Sequence, residues 1–215
     1  MDRIKFYENL LKKNIKHKNS KIIVFGAGEN DLNVFKRLDF TNTTFTNLNK
    51  SNETIKINIH DNKLQNEAFD YSVTNASIHH SSKPHLAILE MYRISKKGIL
   101  IIEANDSLLV RLAVKLKYAE KFELSAVKNG STGVDDTNIP NYVYRWSERE
   151  IYKLLNSYKP EIIHNINFEY NNHIKINDVK FLFIKPFLSL FFKLFKKQQN
   201  LLGIFINKEK QIKRF

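Results

Sequence analysis

The sequence predicts an α/β fold of the doubly wound type, built on a mostly parallel β-sheet. Short runs rich in β-branched and aromatic residues alternate with segments whose apolar residues recur at helical spacing, which is typical of right-handed βαβ units. The first run, Ile22 to Phe25, leads directly into the turn Gly26-Ala27-Gly28. Ligands of such folds bind at the carboxyl ends of the strands, so this turn is the first candidate for a binding site.

The first half of the chain contains three predicted helices and five predicted strands. Residues 1–20 are charged throughout and place their apolar residues on one face, which indicates an amphipathic helix. Asp31 to Leu38 and Pro84 to Ile94 also have helical spacing, and Pro84 fits the first turn of a helix. The predicted strands are 22–25, 43–48, 55–59, 69–73 and 98–103.

The second half of the chain is less regular. Residues 107–117 have helical spacing, whereas residues 127–145 carry glycines and a proline and predict a long loop. Ser147 and Glu150 fit a capping box in front of a helix over 151–157. The last two strands are predicted at 161–170 and 200–208.

Length and composition predict one domain over residues 1–215. A chain of 215 residues with 42% hydrophobic content can bury one substantial core. Its expected parts are an N-terminal helix, a cofactor-binding half, a substrate lid or insertion and the last strands, at 1–19, 20–106, 107–160 and 161–215. The chain has no cysteine and its histidines are scattered, so we expect no metal site. The first residues lack the apolar region of a signal peptide, which predicts a cytoplasmic protein.

The net charge of +13 is compatible with an anionic partner, but the lysines are scattered rather than striped, so we expect no nucleic acid. One segment, residues 180–197, combines many apolar residues with lysines and is too interrupted to span a bilayer. We expect it either to pack on the core or to make peripheral contact with an anionic membrane. The sequence leaves the oligomeric state open.

The glycine turn lacks the features of two common phosphate-binding motifs. A dinucleotide fingerprint needs a third glycine, and here that position is Asp31, whose carboxylate would repel a diphosphate. No Gly-Lys-Ser/Thr follows the turn, which excludes a P-loop. S-adenosylmethionine has an α-amino group and a sulfonium but no phosphate, so an acidic residue beside the turn favours it. We therefore expect S-adenosylmethionine as the cofactor.

Three features of the first half carry a resemblance to a known family: Gly26-x-Gly28 after the first strand, Asp61 after the third, and the block FDYSVTNASIHHSSKPHLAILEMYRISKKGILIIEAND over Phe69 to Asp106. Over about residues 20–106 the chain resembles class I S-adenosylmethionine-dependent methyltransferases, in particular the group similar to ubiquinone- and menaquinone-biosynthesis methyltransferases. The resemblance implies a Rossmann-like, seven-stranded, mostly parallel sheet with a reversed C-terminal hairpin.

The resemblance also implies which residues meet the cofactor. The glycine turn would pass its methionine part, and Asp61, with Asn62 next to it, would reach the adenine. Where the family has an acid for the ribose hydroxyls, this chain has asparagine, which loses a charge-assisted hydrogen bond. The expected cofactor contacts are Gly26, Ala27, Gly28, Asn47, Asn49, Asp61, Asn62, Asn75 and Ala76.

The acceptor side is expected at the ends of the fourth and fifth strands. His79 is the candidate catalytic residue, as a general base or by shaping the pocket, and a packing role is the alternative. Asp106 is either a substrate contact or a helix cap. Tyr142, Tyr144 and Arg145 fit a lid over the substrate, or else the core.

These expectations together predict an enzyme, a methyltransferase acting on a small-molecule, sugar or lipid-linked acceptor. In-line displacement at the sulfonium asks for positioning above all, with one base at most when the acceptor is a hydroxyl. The alternatives are a catalytically silent methyltransferase fold used in binding or assembly, which the asparagines at 47 and 49 allow, and an RNA methyltransferase, for which the sequence carries no recognisable motif.

Overall fold

The computed structural model describes residues 2–48, 53–124, 127, 133–173 and 185–215, without the side chains of residues 185–189. The described helices are α1 (Arg3–Asn14), α2 (Glu29–Arg37), α3 (Pro84–Ile94), α4 (Leu108–Lys115), α5 (Glu148–Tyr158) and α6 (Lys185–Leu194). The strands are β1 (Ile22–Phe25), β2 (Thr43–Asn47), β3 (Ile55–Lys56), β4 (Phe69–Asn75), β5 (Ser95–Ala104), β6 (Ile162–Asn171) and β7 (Leu201–Lys213).

The seven strands form one sheet in the order β3-β2-β1-β4-β5-β7-β6. The pairs among β1 to β5 are parallel, whereas β7 runs antiparallel to both β5 and β6. The order reverses beside β1, so the carboxyl ends of β1 and β4 flank the crevice in which ligands of open α/β sheets bind. The predicted mostly parallel sheet with a reversed C-terminal hairpin is confirmed.

Alternating residues of the buried strands feed two separate cores, one on each face of the sheet. On β1, Ile22 and Val24 pack with α1 and α2, whereas Ile23 and Phe25 pack with α3 and α5. All four side chains are buried, as expected for a central parallel strand covered on both faces. The helices therefore hold β1 in place from both sides and fix where the glycine turn begins.

Several strands differ from the predicted boundaries: β7 continues to Lys213 instead of ending at residue 208, and β4 continues to Asn75 instead of ending at residue 73. β3 ends at Lys56, and the predicted remainder to Ile59 lies in a bend closed by a bridge between Asn58 and Asp61. β5 begins at Ser95, directly after α3, rather than at Gly98. A Cβ at residue 98 would lie 2.9 Å from the Ile206 carbonyl oxygen, so this glycine serves close pairing with β7 inside the strand.

The helix starts follow the capping chemistry of the sequence. The Ser147 hydroxyl accepts a hydrogen bond from the Glu150 amide, which confirms the predicted cap of α5. The Ser107 hydroxyl accepts one from the Val110 amide, so Ser107 rather than Asp106 caps α4. In the predicted loop 127–145, the described residues include a short 3-10 turn over Val134–Asp136.

Candidate cofactor and acceptor site

The two glycines of the turn have different surroundings. Gly26 has a φ of 62°, and a Cβ there would lie 2.3 Å from the Cβ of Ser77. Gly28 precedes α2 with extended backbone, and a Cβ there would meet open space, with Asp31 Oδ2 nearest at 4.0 Å. A glycine is therefore needed at position 26 for the fold, because of its positive φ and the close approach of Ser77, whereas Gly28 leaves space open beside the N-terminus of α2.

The open space beside Gly28 belongs to a cavity of about 320 Å³ at the carboxyl edge of β1 and β4. The guanidinium of Arg3 donates to Asn75 Oδ1 at 3.1 and 3.3 Å. Arg3 was not among the predicted site residues. The sequence feature that could have indicated it is that Arg3 is an arginine in a helix whose other basic residues are lysines. Residues lining the cavity include Arg3, Gly26, Gly28, Asp31, Asn75 and Ala76.

A buried acid complements the guanidinium in this cavity. Asp31 Oδ2 accepts a hydrogen bond from the Gly28 amide at 3.0 Å. Burial raises the pKa of Asp31, and the hydrogen bond from Gly28 opposes that shift. Burial and the Asp31 carboxylate raise the pKa of Tyr7 well above its ordinary value. The cavity thus joins a carboxylate, a cation and backbone without Cβ atoms, a set that fits the zwitterionic amino-acid end of S-adenosylmethionine.

Ala27 and Asn47 hold the turn against the end of β2. The Ala27 amide donates to the Thr46 carbonyl oxygen at 2.8 Å, and the Ala27 carbonyl accepts from Asn47 Nδ2 at 3.0 Å. Asn47 therefore has a structural contact in addition to its predicted role at the cofactor, which stays a prediction. Asn49 lies outside the described residues.

The two predicted adenine contacts have unlike surroundings. Asp61 is exposed in the bend after β3. Asn62 donates to Glu90 Oε2 at 3.1 Å and accepts from Arg93 Nη2 at 3.2 Å, so α3 holds its amide. Adenine recognition by Asp61 and Asn62 stays a prediction.

His79 lies in a 3-10 turn, Ile78–His80, that follows β4, beside the end of β5. The fully buried Glu103 accepts a hydrogen bond from His79 Nδ1 at 2.7 Å and another from the Ile78 amide at 2.8 Å. The other ring nitrogen, Nε2, lies 3.6 Å from Glu123 Oε1. The ring of His79 is thus fixed by a buried carboxylate and turned towards a second one.

The two carboxylates set the charge of the histidine pair. Burial opposes the charged form, but Glu103 and Glu123 raise the pKa of His79 to about 10. The two carboxylates therefore favour the charged form of the ring, against the neutral form that burial favours. Burial and the charge of His79 lower the pKa of His80. The interaction with His79 lowers the pKa of Glu123 to about 2.

Glu123 was not predicted as a site residue. It follows α4 after a short irregular stretch, and Asn141 Nδ2 donates to its Oε2 at 3.0 Å. The two segments also pair through their backbones, with the Glu123 amide donating to the Asn141 carbonyl oxygen. No local pattern marks Glu123, because only the packing of residues 121–124 against 141–143 brings it to the histidines.

The predicted acceptor contacts are distributed around this edge. Asp106 forms an ion pair with Arg111, at 2.9 Å from Nε, and Tyr142 is exposed. Tyr144 donates to Glu150, and burial together with that acid raises its pKa. Arg145 donates to the Val143 and Glu120 carbonyl oxygens, and burial lowers its pKa. The acceptor roles of all four residues stay predictions.

Comparisons with known proteins agree with this fold. A family model described as a methyltransferase domain matches residues 33–102. That match begins within α2, after the glycine turn, and covers β2, β3, β4 and most of β5, ending one residue before Glu103. The chain has the fold of class I methyltransferases, and the match covers about a third of its length. No curated protein matches this chain.

Solved structures of low sequence identity share the fold of this chain. An Archaeoglobus fulgidus S-adenosylmethionine-dependent methyltransferase is 9% identical, with a TM-score of 0.57 over 95% of this chain and 94% of that one. A Burkholderia thailandensis 1,6-didemethyltoxoflavin-N1-methyltransferase, solved with 1,6-didemethyltoxoflavin and S-adenosylhomocysteine, is 10% identical, with a TM-score of 0.54 over 95% and 77%. A Haloferax volcanii protein solved with the Trm112 methyltransferase activator is 10% identical, with a TM-score of 0.58 over 93% and 87%.

The domain match supports methyl transfer as the activity. None of the helices in the described ranges combines the length and the apolar character needed to cross a bilayer. The cytoplasmic location stays a prediction.

Proposed function

We propose that this methyltransferase moves the methyl group of S-adenosylmethionine to a small acceptor at the carboxyl edge of β4 and β5. The observation that carries the proposal is the cavity beside Gly28, which is open where a Cβ would project and is lined by Arg3 and Asp31. The cofactor supplies an electrophilic methyl group on a sulfonium. The chain's contribution is to bind the cofactor, exclude water and align the acceptor.

The residues divide between the two partners of the reaction. Arg3 is placed to pair with the cofactor carboxylate, and Asp31 to meet its ammonium group. The other proposed cofactor contacts are Gly26, Ala27, Gly28, Asn47, Asn49, Asp61, Asn62, Asn75 and Ala76. His79 stays the proposed catalytic residue, positioned by Glu103, and Asp106, Tyr142, Tyr144 and Arg145 are the proposed acceptor contacts.

The acceptor class is proposed to be a small molecule, a sugar or a lipid-linked intermediate. The Burkholderia neighbour, which was solved with 1,6-didemethyltoxoflavin, supports a small-molecule acceptor. A silent methyltransferase fold would bind the cofactor without transferring the methyl group. An RNA methyltransferase would bind RNA with an affinity that falls steeply with salt.

Two neighbouring helices favour a lipid-linked acceptor as the second candidate. No residue of α4 is buried, and Leu108 and Leu112 are exposed. The Leu109 amide donates to Gln198 Oε1 at 3.1 Å, which joins α4 to the segment that follows α6. Leu194 and the adjoining Phe195 are also exposed, between the exposed lysines of the same segment, Lys193, Lys196 and Lys197. Phe192 is buried, so the segment both packs on the core and presents an apolar surface.

Cofactor binding is tested with S-adenosylhomocysteine in a thermal-shift titration. We expect the wild type to be stabilised, because a ligand bound only by the native state shifts unfolding. Gly28→Val should abolish the shift by filling the cavity, whereas Asn33→Val, at an exposed position of α2, should retain it. A shift with NADH but not with S-adenosylhomocysteine would overturn the proposal. Release of S-adenosylhomocysteine from S-adenosylmethionine with a panel of acceptors then separates the enzyme from the silent fold.

Membrane contact is tested by co-sedimentation with anionic and neutral vesicles. Binding to anionic vesicles alone is expected, and the double change Leu112→Asn and Leu194→Asn should remove it. Phe215→Ser removes another exposed apolar side chain, outside this surface, and serves as the control. Equal absence of binding to both vesicle types would leave the small soluble acceptors as the proposed class.

A further inference from the structure

Three side chains with metal-binding atoms converge at the carboxyl edge of β4 and β5. They are His79 and His80, from the 3-10 turn after β4, and Glu123, from the segment after α4. One ligand atom from each lies within 4.8 Å of the other two. Nε2 of His79 is 3.6 Å from Glu123 Oε1, and Nε2 of His80 is 3.6 Å from Glu123 Oε2.

We propose that His79, His80 and Glu123 bind a divalent transition-metal ion of the zinc type. Two imidazoles and one carboxylate form a ligand set of catalytic zinc sites, which leave a fourth position for water or substrate. Ligand atoms about 2.1 Å from a tetrahedral zinc lie about 3.4 Å from one another. The two contacts of Glu123 are close to that spacing but are made by different oxygens, Oε1 towards His79 and Oε2 towards His80. A modest rotation of the carboxylate that presents one oxygen to both rings would complete the geometry.

A second layer of contacts already orients the ligands. Glu103 accepts from His79 Nδ1 at 2.7 Å, which turns Nε2 of that ring towards the cluster. Asn141 donates to Glu123 Oε2 at 3.0 Å and positions the carboxylate. In metal sites, hydrogen bonds of this kind, from a histidine to a carboxylate or from an amide to a ligating carboxylate, hold the ligands in position. The side chains of His80 and Glu123 are 32% and 30% exposed, which gives an ion a route from solvent.

The competing interpretation is a charge triad of Glu103, His79 and Glu123 without an ion. The lengths of the contacts separate the two interpretations. The contact of His79 with Glu103 has the length of a charge-assisted hydrogen bond, whereas both contacts of Glu123 exceed 3.2 Å, the usual upper length for N–H···O. Glu123 also faces both rings, an arrangement that a single proton does not explain and that a shared cation does.

The role of the ion rests on the proposed function. A cation at this place would lie on the side of the sheet where the acceptor is expected, and there it would act as a Lewis acid towards an acceptor oxygen or nitrogen. No metal site was predicted from the sequence, because the histidines are scattered along it. Glu123, 43 residues after His80, is the ligand that the chain order conceals.

The test uses the full chain, stripped with a chelator and titrated separately with ZnCl₂ and CoCl₂. One equivalent of each ion is expected, and cobalt should give visible absorption typical of a low-coordinate nitrogen and oxygen site. Glu123→Gln and His80→Gln each remove one ligand at a partly exposed position and should lower the cobalt affinity at least tenfold. His17→Gln, at an exposed residue far along the chain from the cluster, is the matched control and should bind as the wild type does.

Two results would overturn the metal site: the wild type fails to bind one equivalent of either ion, or Glu123→Gln binds cobalt as tightly as His17→Gln does. The thermal shift with S-adenosylhomocysteine is measured on the metal-free protein in parallel. Metal binding without that thermal shift would support the metal site and contradict the proposed function. A thermal shift without metal binding would support the proposed function and contradict the metal site.

Discussion

The proposed cofactor side and the histidine side of this protein share one edge of the sheet but are assembled in different ways. The turn Gly26-Ala27-Gly28 is a local structure, set by β1 and the start of α2. The cluster of His79, Glu103 and Glu123 draws on three segments that only tertiary packing brings together. The first site therefore depends on backbone shape, whereas the second depends on buried charge.

The largest expected effect tests the backbone shape of the turn. Gly26→Ala should lower the free energy of unfolding by about 4 kcal/mol, because the new Cβ meets Ser77 and the residue is held at positive φ. Gly28→Ala, two residues on, should cost about 1 kcal/mol or less, because its Cβ meets open space. Urea denaturation measures both. An equal loss of unfolding free energy in both variants would contradict the different surroundings that the structure gives to the two glycines.

The next effect tests the buried charge of the other site. Glu103→Ala should lower the free energy of unfolding by about 3 kcal/mol, because it leaves the Ile78 amide and the His79 ring buried without their acceptor. Glu123→Ala should cost about 1 kcal/mol, since Glu123 is partly exposed and its contacts are longer. Chemical denaturation in the presence of a chelator measures the free energy of unfolding of both variants. A larger loss for Glu123 would contradict the assignment of Glu103 as the anchor of the histidine.

The sequence predicted most of the fold because its signals are local. The alternation of strands and helices, the capping serine Ser147 and the proline Pro84 each act within one element, and α3 has the predicted bounds. β3 is shorter than predicted because a bridge between Asn58 and Asp61 bends the chain. Apolar residues alone do not reveal such a bend.

The candidate site was predicted only in part, for the same physical reason. Gly26, Gly28, Asn75 and Ala76 were expected from the turn and the strand end, and they line one cavity. Arg3 reaches that cavity from the N-terminal helix, and its partner Asn75 is 72 residues away. No spacing rule connects residues so far apart, so Arg3, like Glu123, needed the packed structure to be found.

The smallest expected effect concerns Asn47, where the family has an acid. From the sequence alone, Asn47→Asp would restore that acid and tighten cofactor binding. In the structure Asn47 Nδ2 donates to the Ala27 carbonyl oxygen, so an aspartate would lose the donor and set two acceptors against each other. We therefore expect Asn47→Asp to lower the free energy of unfolding by about 1 kcal/mol and to leave the affinity for S-adenosylhomocysteine no better than that of the wild type.

Asn47→Ala is the matched control, because it removes the donor without adding a charge. Both variants are studied by calorimetric titration with S-adenosylhomocysteine and by urea denaturation. The two measurements separate the loss of the hydrogen bond to Ala27 from repulsion by the new carboxylate. A larger loss of stability for the aspartate than for the alanine is expected. Tighter binding by Asn47→Asp would show instead that the ribose contact outweighs the hydrogen bond from Asn47 to the Ala27 carbonyl oxygen. The turn would then depend on the hydrogen bond from the Ala27 amide to the Thr46 carbonyl oxygen.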